Sequence, residues 1–161
     1  MIKAARAAEP KAKGDAGSGV PEGASALELA RRVLLIEADA VRALVERLDE
    51  RFLQAVALIL GRTGRVVVSG IGKSGHIARK IASTLASTGT PAYFVHPAEA
   101  SHGDLGMIDS GDIFIAISYS GESAELREIL PQVKRRGAKL IAITGKKDST
   151  LAREADVNLD A

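Results

Sequence analysis

Asp112-Ile113-Phe114-Ile115-Ala116-Ile117-Ser118-Tyr119-Ser120-Gly121-Glu122-Ser123 carries an apolar run straight into a hydroxyl-rich loop. The run is apolar on both alternating faces, as expected of a strand buried on both sides in a parallel sheet. Beyond the loop, Leu126, Ile129, Leu130 and Val133 recur at helical spacing, and Gly137 stops the pattern. The loop therefore sits at a strand-to-helix junction. Its serines offer donors, and the following helix offers unpaired N–H groups and the positive end of its dipole. That combination suits a phosphate.

Working outward, residues 65–69, Ala92–Val95, Lys139–Thr144 and residues 156–159 read as further strands. Residues 74–87 read as a helix with Ile77, Ile81, Ala82 and Leu85 on one face, and residues 122–136 as another. Ser149 is placed to cap a short helix ending near Ala155. Strands alternating with helices predict an α/β fold, a parallel sheet of about five strands covered on both faces as a three-layer α/β/α sandwich. Ligands of such sheets lie at the carboxyl ends of the strands, which is where residues 70–75, 118–123 and 144–149 fall.

Ahead of the sheet, Ser25 reads as an N-cap. Leu27, Ala30, Leu34, Ala38, Val41, Val45, Leu48, Phe52, Val56 and Ile59 then recur at three- and four-residue steps. This N-terminal helical region of one or two helices is suited to a partner subunit or to its own sheet. Residues 1–24 combine Ala, Lys, Pro and closely spaced glycines and read as a flexible tail; residues 25–161 form the domain.

Composition narrows the function classes. A net charge of +2 and 3% aromatic residues without Trp argue against a nucleic-acid surface. The absence of cysteine excludes disulfides and thiolate chemistry. No apolar run reaches the length needed to span a bilayer, and the N-terminus lacks the apolar core of a signal peptide. The expected compartment is the cytoplasm, with no membrane partner.

Gly70-Ile71-Gly72-Lys73-Ser74-Gly75 has three readings. A P-loop needs a glycine where Val67 stands, so that reading fails. The Gly-x-Gly-x-x-Gly spacing matches a dinucleotide fingerprint, but the next strand ends Phe94-Val95-His96-Pro97, without the acid that would hold a ribose. The third reading is a sugar-phosphate loop, with Ser74 facing the phosphate and Lys73 the reacting end.

Five segments, taken in order, carry a specific resemblance. They are the glycine loop, Ala86-Ser87-Thr88-Gly89-Thr90-Pro91, the stretch from Phe94 to Gly106 containing His96 and His102-Gly103-Asp104-Leu105-Gly106, the serine loop, and Ile143-Thr144-Gly145. Over residues 25–161 the chain resembles the sugar isomerase (SIS) domain, and within it the arabinose 5-phosphate isomerases of lipopolysaccharide (Kdo) synthesis. The resemblance implies interconversion of D-ribulose 5-phosphate and D-arabinose 5-phosphate through an enediol. Lys73 would stabilise the oxyanion and Glu125 would act on protons. Ser74, Ser118, Ser120 and Ser123 would hold the phosphate, and Gly89, Thr90, His96 and His102 would contact substrate. It further implies that no organic cofactor is required, that the His96 position can hold zinc, and that copies self-associate as a dimer or tetramer. Glu122 reads as a first-turn acid complementing the dipole of the helix after the loop. Relatives extend well past Ala161 into a pair of CBS-type domains and place a further functional glutamate and histidine there; those roles fall on no residue here. The other reading of the same residues is a sugar-phosphate binding or sensing module without turnover.

Overall fold

The computed structural model describes residues 23–101 and 103–161. The expectations placed on residues 1–22 and on His102 lie outside the described residues. Two compact units divide between Val41 and Arg42. The first holds most of helix α1 (Gly23–Ala43), whose side chains from Ser25 onward are all exposed. This helix opens at Gly23, so Ser25 lies within its first turn and does not cap it, and Gly23–Ala24 belong to helix and not to a tail.

The second unit runs through a 3₁₀ turn (Leu44–Arg47), α2 (Glu50–Gly61), β1 (Val66–Gly70), α3 (Gly72–Ser87), β2 (Ala92–Val95), α4 (Pro97–Ser101), a 3₁₀ turn (Asp104–Met107), β3 (Ile113–Ile117), α5 (Ala124–Arg135), β4 (Lys139–Thr144), α6 (Thr150–Glu154) and β5 (Val157–Asp160). The five strands pair in parallel in the order β2-β1-β3-β4-β5. Alternation along the strands splits the core in two. Val67, Phe114, Ala116, Leu140 and Ala142 face Leu126, Ile129, Leu130 and Val133 of α5 and Leu151 of α6. Val66, Val68, Ile113, Ile115 and Ile141 face Ala55 of α2 and Ala78 and Ala82 of α3. Each large side chain buried in this way contributes about 1.5–3 kcal/mol. The expected three-layer fold is therefore present, with the inward face of α5 as read from its spacing.

Two faces differ from expectation. On α3 it is Gly75, Ala78 and Ala82 that are buried, while Ile77 is 56% exposed. The cause is close approach: a Cβ on Gly75 would stand 2.8 Å from the Gly70 carbonyl oxygen. Small residues define the line of closest contact; Ile81 and Leu85 pack beside it as the spacing predicted, and only Ile77 is turned out. On α2 only Ala55 is fully buried, with Leu58 and Ile59 partly so, while Phe52 and Val56 remain exposed. The stretch read as a plain connection after β2 folds into α4 and the second 3₁₀ turn, and buries Ala100, Leu105 and Ile108.

At the amino edge of the sheet, Asp112 is 4% exposed and joins two strand entries. Its Oδ1 accepts from the Arg65 amide at 2.6 Å and its Oδ2 from the Asp109 amide at 2.9 Å. Asp112→Ala strands both donors, so chemical denaturation should show a loss of about 3 kcal/mol, and Asp112→Asn a smaller one.

Candidate functional site

Strand order reverses at β1: the chain passes from β1 outward to β2 and returns to lay β3 on the other flank. The crevice between the carboxyl ends of β1 and β3 is the switch point where ligands of such sheets bind. The loops leaving β1 and β3 border it.

The first loop starts α3 with Ile71 at the N-cap position, where it makes no side-chain cap. Gly72 has φ +57°, a turn that admits glycine at little cost. Lys73 is exposed and Ser74 half-buried in the first turn of α3. The second loop is more tightly bound. Ser118 is 4% exposed, and its Oγ lies 2.8 Å from Ser123 Oγ while accepting from the Gly121 amide at 3.1 Å. Ser120 Oγ accepts from the Glu122 amide at 3.2 Å. Ser123 occupies the N-cap of α5, yet its hydroxyl makes no capping bond there. Glu125 is exposed in the first turn of α5.

The other helices provide a contrast. Asp49 caps α2 through the Arg51 amide at 2.9 Å, and Ser149 caps α6 through the Ala152 amide at 3.3 Å. Of these four helices, α3 and α5 start without a side-chain cap, and they are the two that border the β1/β3 crevice. Their first-turn N–H groups and dipoles, with the hydroxyls of Ser118, Ser120 and Ser123, are the kind of donors that a dianion requires. An ammonium on Lys73 and a carboxylate on Glu125 stand on the helices that start at the rim of the crevice. The structure thus brings Lys73, Ser74, Ser118, Ser120, Ser123 and Glu125 to one edge, as the spacing predicted.

Glu122 is a correction. It precedes α5 instead of lying in its first turn, and its Oε1 accepts from the Thr150 amide at 2.6 Å, at the start of α6. Its carboxyl is held below the ordinary glutamate range, first by the Thr150 backbone N–H and then by the Thr150 side chain. Partial desolvation opposes this, and Arg127 and Arg153 reinforce it. A depressed folded pKa contributes stability above the ordinary value of about 4.3, lost as the pH falls through the lower folded value. Tyr119 also turns toward the β4–α6 connection, its carbonyl accepting from the Gly145 amide at 3.0 Å. No signal in the local spacing separates a carboxylate serving the helix ahead from one serving a neighbouring crossover.

His96 follows β2 at the same edge of the sheet. Its Nδ1 accepts from the Ala98 amide at 3.3 Å, and its ring meets Phe94 edge-to-face at 6.4 Å. Among the described residues, no group of three or more His, Cys, Asp or Glu side chains is arranged to hold a metal ion. Gly89 and Thr90 lie at the opposite end, in the turn into β2, where the Thr90 amide donates to the Leu85 carbonyl at 2.9 Å and Pro91 accepts from Val66. One copy of the chain does not bring them to the serine loop. A cavity of about 550 Å³, lined by Leu58, Arg62, Asp112 and Lys139 among others, also opens at that amino edge. Size does not make it the site, since Asp112 is occupied by backbone amides and Lys139 is paired with Asp156 at 2.9 Å.

A doubly wound parallel sheet with two helix starts lacking side-chain caps and a serine cluster at its switch point places the chain among the α/β proteins. Residues 59–161 match the SIS domain family, and the chain belongs to it. It is 55% identical over 132 residues to arabinose 5-phosphate isomerase KdsD of Pseudomonas aeruginosa, covering 82% of this chain and 40% of that protein. It is 54% identical over 134 residues to arabinose 5-phosphate isomerase GutQ of Escherichia coli K12, covering 83% and 42%. A solved Escherichia coli CFT073 protein in complex with A5P shares the fold with a TM-score of 0.83 and 40% identity, covering 87% of this chain and 74% of that one. The chain spans about 40% of the length of the first of these curated relatives. No helix among the described residues is long and apolar enough to cross a membrane.

Gly121 has φ +64°, and a Cβ there would stand 2.0 Å from Ser149 Oγ. Gly121→Ala should lower stability by about 2 kcal/mol in a denaturation experiment and remove measurable binding of inorganic phosphate in a titration.

Proposed function

We propose that this chain is the sugar-phosphate domain of an aldose–ketose isomerase acting on D-arabinose 5-phosphate and D-ribulose 5-phosphate. The observation that carries the reading is the pair of uncapped helix starts flanking the serine cluster at the β1/β3 crevice. The names of the similar isomerases and the A5P complex of the similar structure support the choice of sugar.

In this reading Ser118, Ser120, Ser123, Ser74 and the N–H groups of α3 and α5 hold the phosphate, which fixes the sugar chain across the crevice. Glu125 takes the proton from the carbon next to the carbonyl and returns it to the neighbouring carbon. The electron pair passes through an enediolate, whose developing oxygen charge the Lys73 ammonium stabilises, while the hydroxyl proton passes from one of the two neighbouring oxygens to the other, so that hydroxyl and carbonyl exchange places. The redox change is internal to the sugar, so the proposed chemistry calls for no organic cofactor, and no step passes through a metal. Such a sugar phosphate is a cytoplasmic metabolite, which is where this reading places the protein.

Titration with arabinose 5-phosphate, followed by a ribulose 5-phosphate turnover assay on the same sample, tests the proposal. Binding with turnover supports the isomerase; binding without turnover favours the binding-module reading; absence of both overturns it. Lys73→Met should lower kcat by about 10²–10³-fold with phosphate binding retained. Glu125→Gln should lower kcat by about 10²–10⁴-fold.

The partner in this reading is a second copy. Leu27, Leu34 and Val41 on α1, and separately Leu53, Val56 and Leu60 on α2, are exposed at helical spacing. An apolar stripe of this kind gains stability by packing on another protein face. The amino-edge position of Gly89 and Thr90 points the same way, since only another copy could offer them to a serine loop. Light scattering coupled to size exclusion should show a dimer or larger. Leu34→Glu combined with Leu53→Glu should shift it toward monomer.

A further inference from the structure

The non-serine residues of the β3–α5 loop make contacts that the phosphate cradle does not use. Three backbone or side-chain bonds tie the loop to the β4–α6 connection. Tyr119 O accepts from the Gly145 amide at 3.0 Å, Gly121 O from the Leu151 amide at 3.1 Å, and Glu122 Oε1 from the Thr150 amide at 2.6 Å. Two close approaches add steric definition. Gly121 abuts Ser149, and a Cβ on Gly145 would stand 2.3 Å from Cε2 of the Tyr119 ring. The loop is thus held from behind by a neighbouring crossover. Its hydroxyls are joined to one another: Ser118 to Ser123, and both Ser118 and Ser120 to loop amides.

We propose that Glu122 is a positioning residue for the anion site: by capping the start of α6 it fixes the β3–α5 loop in the conformation that presents Ser118, Ser120 and Ser123 to a phosphate. The argument rests on three features. First, the carboxylate is an acceptor in a charge-assisted bond to a backbone amide, the stronger kind, and its side chain spans from the loop to α6. Second, it stands between Gly121 and Ser123, so the peptide units it anchors are those that carry the cradle. Third, α6 already has a capping hydroxyl in Ser149, which takes the Ala152 amide and leaves the Thr150 amide for a residue from outside the helix. This second cap from the phosphate loop ties that loop to α6 through Oε1, while Oε2 makes a longer, exposed 3.5 Å pair with Arg127 of α5. Glu122 itself does not touch the phosphate. The proposal rests on reading the serine loop as a phosphate site.

Two substitutions remove the same bond from opposite sides. Glu122→Ala deletes the acceptor. Thr150→Pro deletes the donor: position 150 is the first of α6, where proline is tolerated, and Ser149 before it has φ −70° and ψ 158°, a conformation compatible with a following proline. Glu122→Gln keeps an acceptor oxygen. Binding of inorganic phosphate and of arabinose 5-phosphate to the whole chain is measured by titration for each variant, with thermal unfolding as a control. The expected result is dissociation constants raised about tenfold in Glu122→Ala and in Thr150→Pro, with Glu122→Gln near the original protein. Glu122→Ala also loses the exposed Arg127 pair and Thr150→Pro the exposed Arg153–Thr150 Oγ1 bond, contacts worth little; the double variant should therefore be close to the weaker single one, because the Glu122–Thr150 bond is the main loss in all three. Where turnover is measurable, KM should rise with kcat little changed. If the original chain binds and both single variants bind equally well, the positioning role is overturned while the phosphate reading stands. If losses in the double variant add, the two residues act independently and the proposal fails. If the original chain binds neither ligand, the phosphate reading fails first and takes this role with it.

Discussion

A helix that starts without a cap leaves its first amide hydrogens for another group to satisfy. Around the β1/β3 crevice this happens twice, at α3 and at α5, while α2 and α6 have side-chain caps. The rest of the second unit can be seen as the scaffold that keeps those two starts together. The parallel register Gly70↔Ile117 brings the ends of β1 and β3 level. The two apolar layers then fix α3 to one face of the sheet and α5 to the other. Both dipoles and the serine hydroxyls converge on this crevice, a geometry that no single helix provides.

Close packing sets the precision of this arrangement. α3 approaches β1 through Gly70, Gly75, Ala78 and Ala82, so its start lies close to the strand that precedes it. On the other side, Gly121 and Gly145 allow the serine loop and the β4–α6 turn to lie against each other, with no room for a Cβ at either position. Glycines here serve contact between backbones as much as conformational freedom. Substitution at such a position moves a loop, which is why the energetic cost and the loss of ligand binding are expected to coincide.

The electrostatics are local. With a net charge of +2, no broad field draws ligand to the crevice. The groups at the crevice that suit an anion are local: oriented amides, hydroxyls and the exposed Lys73 ammonium. The acidic residues of the region have separate duties: Glu122 serves α6, while Glu125 stays exposed in the first turn of α5. Two carboxylates three positions apart thus point to different elements, because a left-handed glycine turn precedes the first and a helix carries the second.

Much of this was legible in the chain itself. The strands Ala92–Val95 and Lys139–Thr144 lie where their apolar runs placed them, and the inner face of α5 follows its spacing. The serine loop and Lys73 fall at carboxyl strand ends, because hydrophobic periodicity alone settles where strands stop and helices start. What tertiary structure decided were the relations between segments distant in sequence. Glu122 pairs with Thr150, 28 residues away. Ile77 gives up its inward place to Ala78, because Gly70 draws α3 close to β1. Gly89 and Thr90 sit at the far end of the sheet from the serines, since a turn that follows a helix and precedes a parallel strand must return to the amino edge. Local pattern encodes the burial and direction of each element; which surfaces meet, and therefore which side chains share a site, depends on how the elements pack.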